Sequence, residues 1–171
     1  MNAEERRKQI KSILECAQAP VSASALAARL GVSRQIIVGD VALLRAAGAD
    51  ISATPRGYAV LQADRGALCR QVACRHNGAG MEAELNAIVD QGCTVLDVIV
   101  EHPIYGQLTG PLQLSTRYDV ALFLQRCAQS DARPLSDLTE GIHLHTLSCP
   151  DEAAFRRVQK ALQALGVLLE G

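Results

Sequence analysis

Aromatic residues are scarce in this chain. Of 171 residues none is Trp, three are Tyr and two are Phe, or 3% in all. Proteins that hold single-stranded nucleic acid by stacking bases need aromatic platforms, and this composition argues against that mode. Long apolar runs are missing too. No stretch reaches membrane-spanning length, and the opening MNAEERRKQI carries charge where a secretory leader would be apolar. The expected location is the cytoplasm, with no membrane partner. Six Cys are scattered without a CxxC pair. In a reducing compartment they are expected to stay thiols, and a structural zinc knuckle is not expected.

What is present is aliphatic. Hydrophobic residues make up 49% of the chain, enough for a core of Leu, Val, Ile and Ala. The length fits one large domain or two small ones. Net charge is −1, which looks wrong for a nucleic-acid binder until the chain is divided. Residues 1–60 hold eight basic and five acidic side chains, whereas the remainder holds nine and thirteen. The basic surplus therefore sits in the first third, where a DNA-binding head would need it.

Residues 3–18 place Ile10, Ile13 and Leu14 at helical spacing, and Pro20 ends the run. Ser22 or Ser24 can cap a second helix over Ala25–Leu30, which stops at Gly31. Ser33 can cap a third, in which Ile37, Val41 and Leu44 face inward and which ends at Gly48. Short helix, glycine-containing turn and helix make a helix-turn-helix. Asp50–Ala53 and Gly57–Val60, joined by Thr54-Pro55-Arg56, read as a β-hairpin wing. Recognition helices contact bases chiefly through their N-terminal residues. Ser33 is thus expected at phosphate, Arg34 and Gln35 at bases or phosphate, and Arg56 at the wing tip. The alternative is a winged helix used only for protein contact.

Leu61-Gln62-Ala63-Asp64 reads as a short polar connection, dividing the chain into residues 1–62 and 66–171. Beyond it, strand-like runs (Leu68–His76, Thr94–Glu101, Gly106–Leu114, Ile142–Cys149 and Val167–Leu169) alternate with helical ones (Met81–Val89, Arg117–Gln129 and Asp151–Leu165). The pattern predicts an α+β domain with helices packed on a mixed or antiparallel sheet.

The four histidines carry the chemistry. In Gly-Ile-His-Leu-His-Thr-Leu, strand alternation sends His143 and His145 to one face. Ile142 and Leu144 are then expected in the core, with both imidazoles projecting from the other side. His76 adds a third nitrogen. Glu82 and Glu84 flank the apolar face of the following helix, and periodicity does not choose between them. Imidazole with carboxylate suits Zn, Ni or Fe(II) better than Mg or Ca. Cys74 shares the face of His76, where it could add a further ligand, although a buried thiol is the expected state. His102 and Tyr105 flank a tight turn and are candidates to line a ligand pocket.

Three segments, GVSRQIIVGDVALLRAAGADISATPRGY, VIVEHPIYG and EGIHLHTLSCPDE, resemble the winged helix-turn-helix and "3H" domain of the NiaR (YrxA) transcriptional repressors. The resemblance spans nearly the whole chain. It implies a repressor that takes nicotinic acid as corepressor at operator DNA and controls niacin uptake or NAD synthesis; a homodimer is expected because helix-turn-helix proteins usually read two half-sites. It also implies one divalent transition metal per subunit, held by His76, Glu84, His143 and His145, with the eight-residue spacing from His76 selecting Glu84. Two departures stand out. Gly39 lies where a recognition helix more usually has a polar side chain. The glycines of Asn77-Gly78-Ala79-Gly80 are expected to loosen the link between His76 and Glu84. A direct metal sensor is the alternative function. A less favoured one is an enzyme acting on a pyridine amide, with His102 and Tyr105 beside a water-activating metal.

Overall fold

The computed structural model describes residues 2–60 and 67–170. The expected connection Leu61–Asp64 and both expected domain limits lie outside these residues. The chain divides into two compact units, Met1–Ala63 and Asp64–Gly171.

The first unit runs α1 (Ala3–Cys16), α2 (Ala23–Leu30), α3 (Arg34–Ala46), β1 (Ile51–Thr54) and β2 (Gly57–Val60). Each helix starts on a side chain that accepts a first-turn N–H. Asn2 and Glu5 form a capping box on α1, Ser22 caps α2, and Ser33 caps α3. Gly31 closes α2 in the left-handed region, at φ 66°, where a side chain would be strained. Ile10, Leu14, Leu26, Ile37, Val41 and Ile51 meet in one aliphatic core. The wing is antiparallel, pairing Ile51 with Val60 and Thr54 with Gly57. Val21 exchanges two main-chain hydrogen bonds of 2.9 Å with Tyr58, which ties the wing to the segment before α2. Gly57 makes this approach possible, because a Cβ there would lie 2.5 Å from the Val21 backbone.

The second unit runs β3 (Leu68–Arg75), α4 (Met81–Val89), β4 (Thr94–His102), β5 (Gly106–Leu114), α5 (Arg117–Gln129), β6 (Ile142–Cys149) and α6 (Glu152–Leu165). The sheet is antiparallel, in the order β3-β6-β4-β5. Leu85 and Ile88 of α4, Val120 of α5 and Phe155, Val158 and Leu162 of α6 share one core with Val72, Val95, Leu114 and Leu147 of the sheet. Burying one such Leu contributes about 1.5–3 kcal/mol. The expected strand at 167–169 is a single bridge, Leu168 to Cys74. Arg75 donates to the Val167 carbonyl and Leu169 to that of Ala73.

One expectation is reversed. Ile142 and Leu144 are 43% and 37% exposed, while His143 and His145 are 3% exposed. The histidines occupy the helix-covered face together with Leu147 and Cys149. Alternation predicted the pairing correctly, but hydrophobicity assigned the pairs to the wrong faces. The polar side chains can be buried because each finds partners there.

Candidate metal centre and nucleic-acid face

Helix α4 opens just after β3. Asn77 accepts from the Ala79 N–H at 3.1 Å and starts a short 3-10 turn over Gly78–Gly80. That turn delivers Glu84, 1% exposed, beneath the sheet. His76 leaves the end of β3, and β6 presents His143 and His145 from the neighbouring strand. All three imidazoles meet the one carboxylate. His76 Nε2 contacts Glu84 Oε2 directly. His143 Nε2 and His145 Nε2 lie 2.8 and 3.1 Å from Oε1. The His143 ring stands nearly perpendicular to the rings on either side, with centroids 4.8 Å apart in each case.

The opposite ring nitrogens decide the chemistry. His76 Nδ1 lies 2.6 Å from the Asn77 carbonyl, His143 Nδ1 2.8 Å from that of Gly141, and His145 Nδ1 2.7 Å from that of Asp97. A carbonyl can only accept, so each Nδ1 carries the hydrogen and donates it. Each Nε2 is then the lone-pair end of a neutral ring, aimed at a carboxylate oxygen that also offers lone pairs. Such a cluster holds together only around positive charge, either protons on Nε2 or a metal ion. Fixing Nδ1–H on a carbonyl is the usual way in which proteins orient a metal-binding imidazole.

Local irregularities supply two of these carbonyls. Pairing between β4 and β6 skips from Val95 to Ile99, which frees the Asp97 carbonyl from the ladder for His145. The Asp97 carboxylate also accepts from the Thr146 N–H at 2.9 Å. Gly141, at φ 86°, sits where a Cβ would fall 2.2 Å from the His76 carbonyl oxygen. Its own carbonyl accepts from the His76 N–H as well as from His143. Gly80 similarly leaves room for the His76 side chain, whose Cβ and Cγ would stand 2.9 Å from an added Cβ. Of the two glycines expected to loosen this loop, Gly80 permits that close approach, and Gly78 has nothing within 4 Å of an added Cβ.

Burial alone would raise the Glu84 carboxyl, but its contacts with His143, His145 and His76 outweigh that and hold it well below the usual carboxylate range. The Glu84 contact in turn raises His76. Cys74 belongs to the same cluster. Its sulfur, a Glu84 oxygen and a His143 nitrogen all lie within 4.8 Å of one another. The residues present therefore form a Cys/Glu/His donor set able to hold a metal ion.

His102 and Tyr105 flank the turn of the β4–β5 hairpin. His102 Nδ1 accepts from the N–H groups of Ile104 and Tyr105, and the His102 and Tyr105 rings stack at 5.0 Å. These contacts cap the turn and lie within the hairpin.

In the first unit, Arg34 and Gln35 are exposed at the start of α3. The Ser33 hydroxyl accepts from the Ile36 N–H at 3.3 Å, and its own proton is still available to donate. Arg56 is half-buried in the wing turn, its main-chain N–H donating to Thr54. Sequence reasoning missed Asp40, which is buried inside α3. It pairs with Arg6 at 2.5 Å and with Arg7 at 3.5 Å, tying α1 to α3. Two members of the basic surplus are therefore engaged within the unit. Its signal was an acid at a position of the helix that otherwise faces inward.

Residues 6–59 match the model of an HTH domain, and residues 69–171 match that of the 3H domain. The chain is similar to the probable transcription repressor NiaR of Thermotoga maritima, 42% identical over 167 residues that cover 98% of this chain and 95% of the relative. It is likewise similar to the transcription repressor NadR of Bacillus subtilis, 40% identical over 168 residues that cover 96% and 93%. Helix-turn-helix head, 3H domain and nearly full-length identity agree, and the chain belongs to the family of 3H-domain transcription repressors that includes these two proteins.

Proposed function

We propose that this chain is a cytoplasmic, homodimeric DNA-binding repressor whose 3H domain holds one divalent transition metal through His76, Glu84, His143 and His145. The observation that carries the metal reading is the set of three Nδ1–H groups anchored on carbonyls, which turns three Nε2 atoms onto one buried carboxylate. Zn, Ni and Fe(II) fit these donors. When bound, such an ion supplies a Lewis-acidic centre on which a pyridine carboxylate can dock. The residues orient that centre and keep bulk water from it.

The effector follows from the resemblance to NiaR-type repressors, which implies nicotinic acid as corepressor and genes of niacin uptake or NAD synthesis as targets. A corepressor must prefer the DNA-competent state, because equal affinity for both states shifts nothing. In the head, Arg34 and Gln35 are exposed where a recognition helix meets bases. Ser33 serves phosphate, and Arg56 meets the backbone beside the wing. A dimer matches the two half-sites that such heads usually read.

Calorimetric titration of the metal-loaded protein with nicotinic acid tests this reading, run beside a His143→Ala, His145→Ala variant. Saturable binding that the double variant loses is the expected result. Absence of binding to folded, metal-loaded protein would remove nicotinic acid as effector and leave the metal itself as the signal.

A further inference from the structure

The four donors named above do not exhaust the cluster. Cys74 is fully buried, on the inward face of β3. Its register partner across the ladder is His143. Directly opposed residues of an antiparallel pair carry their side chains on the same face, with Cβ atoms about 4.5–5.5 Å apart. The thiol therefore lies beside a proposed metal ligand as a consequence of pairing. Its sulfur also stands within 4.8 Å of both the Glu84 oxygen and the His143 nitrogen. Donors on one zinc ion lie at most about 4.3 Å apart, given bonds of about 2.3 Å to sulfur and about 2.0 Å to nitrogen, so a shift of no more than about 0.5 Å would bring these atoms around a single ion. The neighbouring aliphatic positions Val72 and Leu147 share the face, so a second aliphatic side chain would have served packing alone.

We propose that Cys74 is a further metal ligand, giving the site a soft sulfur donor beside three imidazoles and a carboxylate. This rests on the metal reading above and extends it. On metal binding the S–H bond breaks, the sulfur keeps the electron pair and donates it to the ion, and the proton leaves to solvent. A bound metal makes such a deprotonation favourable even for a thiol that burial and Glu84 otherwise keep protonated. Thiolate shifts preference toward softer ions such as Zn and away from Mn. It also occupies a coordination position, leaving fewer for an incoming pyridine carboxylate.

The test uses Co(II), whose spectrum separates the two claims. Co(II) is added to the metal-stripped full-length chain, to Cys74→Ser and Cys74→Ala, and to His143→Ala, with circular dichroism as the check on folding. In the unaltered protein the expected result is visible ligand-field bands together with an intense near-ultraviolet sulfur-to-cobalt charge-transfer band. Both Cys74 variants keep the visible bands and lose the near-ultraviolet one. They also release one proton fewer per cobalt, measured where the histidines are already neutral. Visible bands without charge transfer in the unaltered protein overturn the sulfur ligand and leave the four-donor site standing, and that spectrum decides even if the variants fail to fold. A charge-transfer band that survives in folded Cys74 variants assigns it to another of the six cysteines and also overturns the proposal. Failure of the folded, unaltered chain to take up cobalt overturns both readings together.

Discussion

Gly141 shows how much of the cluster hangs on one backbone atom. Its carbonyl receives both the His76 main-chain N–H and the His143 ring, and its φ of 86° belongs to the region that glycine tolerates. Gly141→Ala combines left-handed strain with a Cβ 2.2 Å from the His76 carbonyl oxygen. It is expected to cost about 1–3 kcal/mol or more of 3H stability and to weaken metal uptake at least tenfold. Thermal melts and metal titration of the variant would check both. Sequence spacing carried the four proposed ligands, because a strand period and a resemblance suffice for residue types. It did not carry the carbonyls of Asn77, Gly141 and Asp97. Main-chain acceptors have no side-chain signature, and the break in pairing that frees Asp97 follows from the tertiary structure.

At the scale of elements, α3 contains a contradiction. Gly39 lies in the middle of the helix, exposed, with nothing within 4 Å of an added Cβ and no positive φ. Gly costs about 1 kcal/mol relative to Ala in a helix interior. Gly39→Ala is therefore expected to stabilise the first unit by about 0.5–1 kcal/mol, raising its unfolding midpoint in urea. If operator affinity falls while stability rises, the bare patch at Gly39 is there for close approach to DNA. Most element bounds could be read in advance, since caps such as Ser33 and Gly31 and the run Met81–Val89 follow local rules. Strand β6 could not. Its alternation was plain, but which face met the helices depended on Glu84 and the Asp97 carbonyl, both brought from elsewhere in the unit, and on the carbonyl of Gly141 just before the strand, whereas intrinsic hydrophobicity pointed the other way. Asp40 is a similar case, because its partners Arg6 and Arg7 lie a whole helix away.

At the scale of the molecule, two separate aliphatic cores stand in the two units, and only the second bears the charged cluster. Its response to pH has a definite sign. The Glu84 carboxyl is depressed in the folded state, so its contribution is present above the unfolded value, about 4.3, and is lost as pH falls. His76 is raised, so its contribution is full below about 6.5 and is lost as pH rises through the folded value. The metal-free 3H unit is thus expected to be most stable near pH ~5–6 and weaker at about pH 8. Metal needs neutral imidazoles and binds better as pH rises, so the gap in melting temperature between loaded and stripped protein should widen from about pH 6 to 8. Scanning calorimetry on both forms would show it, and a gap that narrows instead would count against imidazole ligation. The burial of Glu84, His143 and His145 also bears on time. An ion held on these buried donors would exchange slowly, because its release would require breaking several bonds to buried side chains and local opening of the domain. A slowly exchanging ion would record the medium in which the protein folded, and a faster signal would then need a second, more freely exchanging ligand.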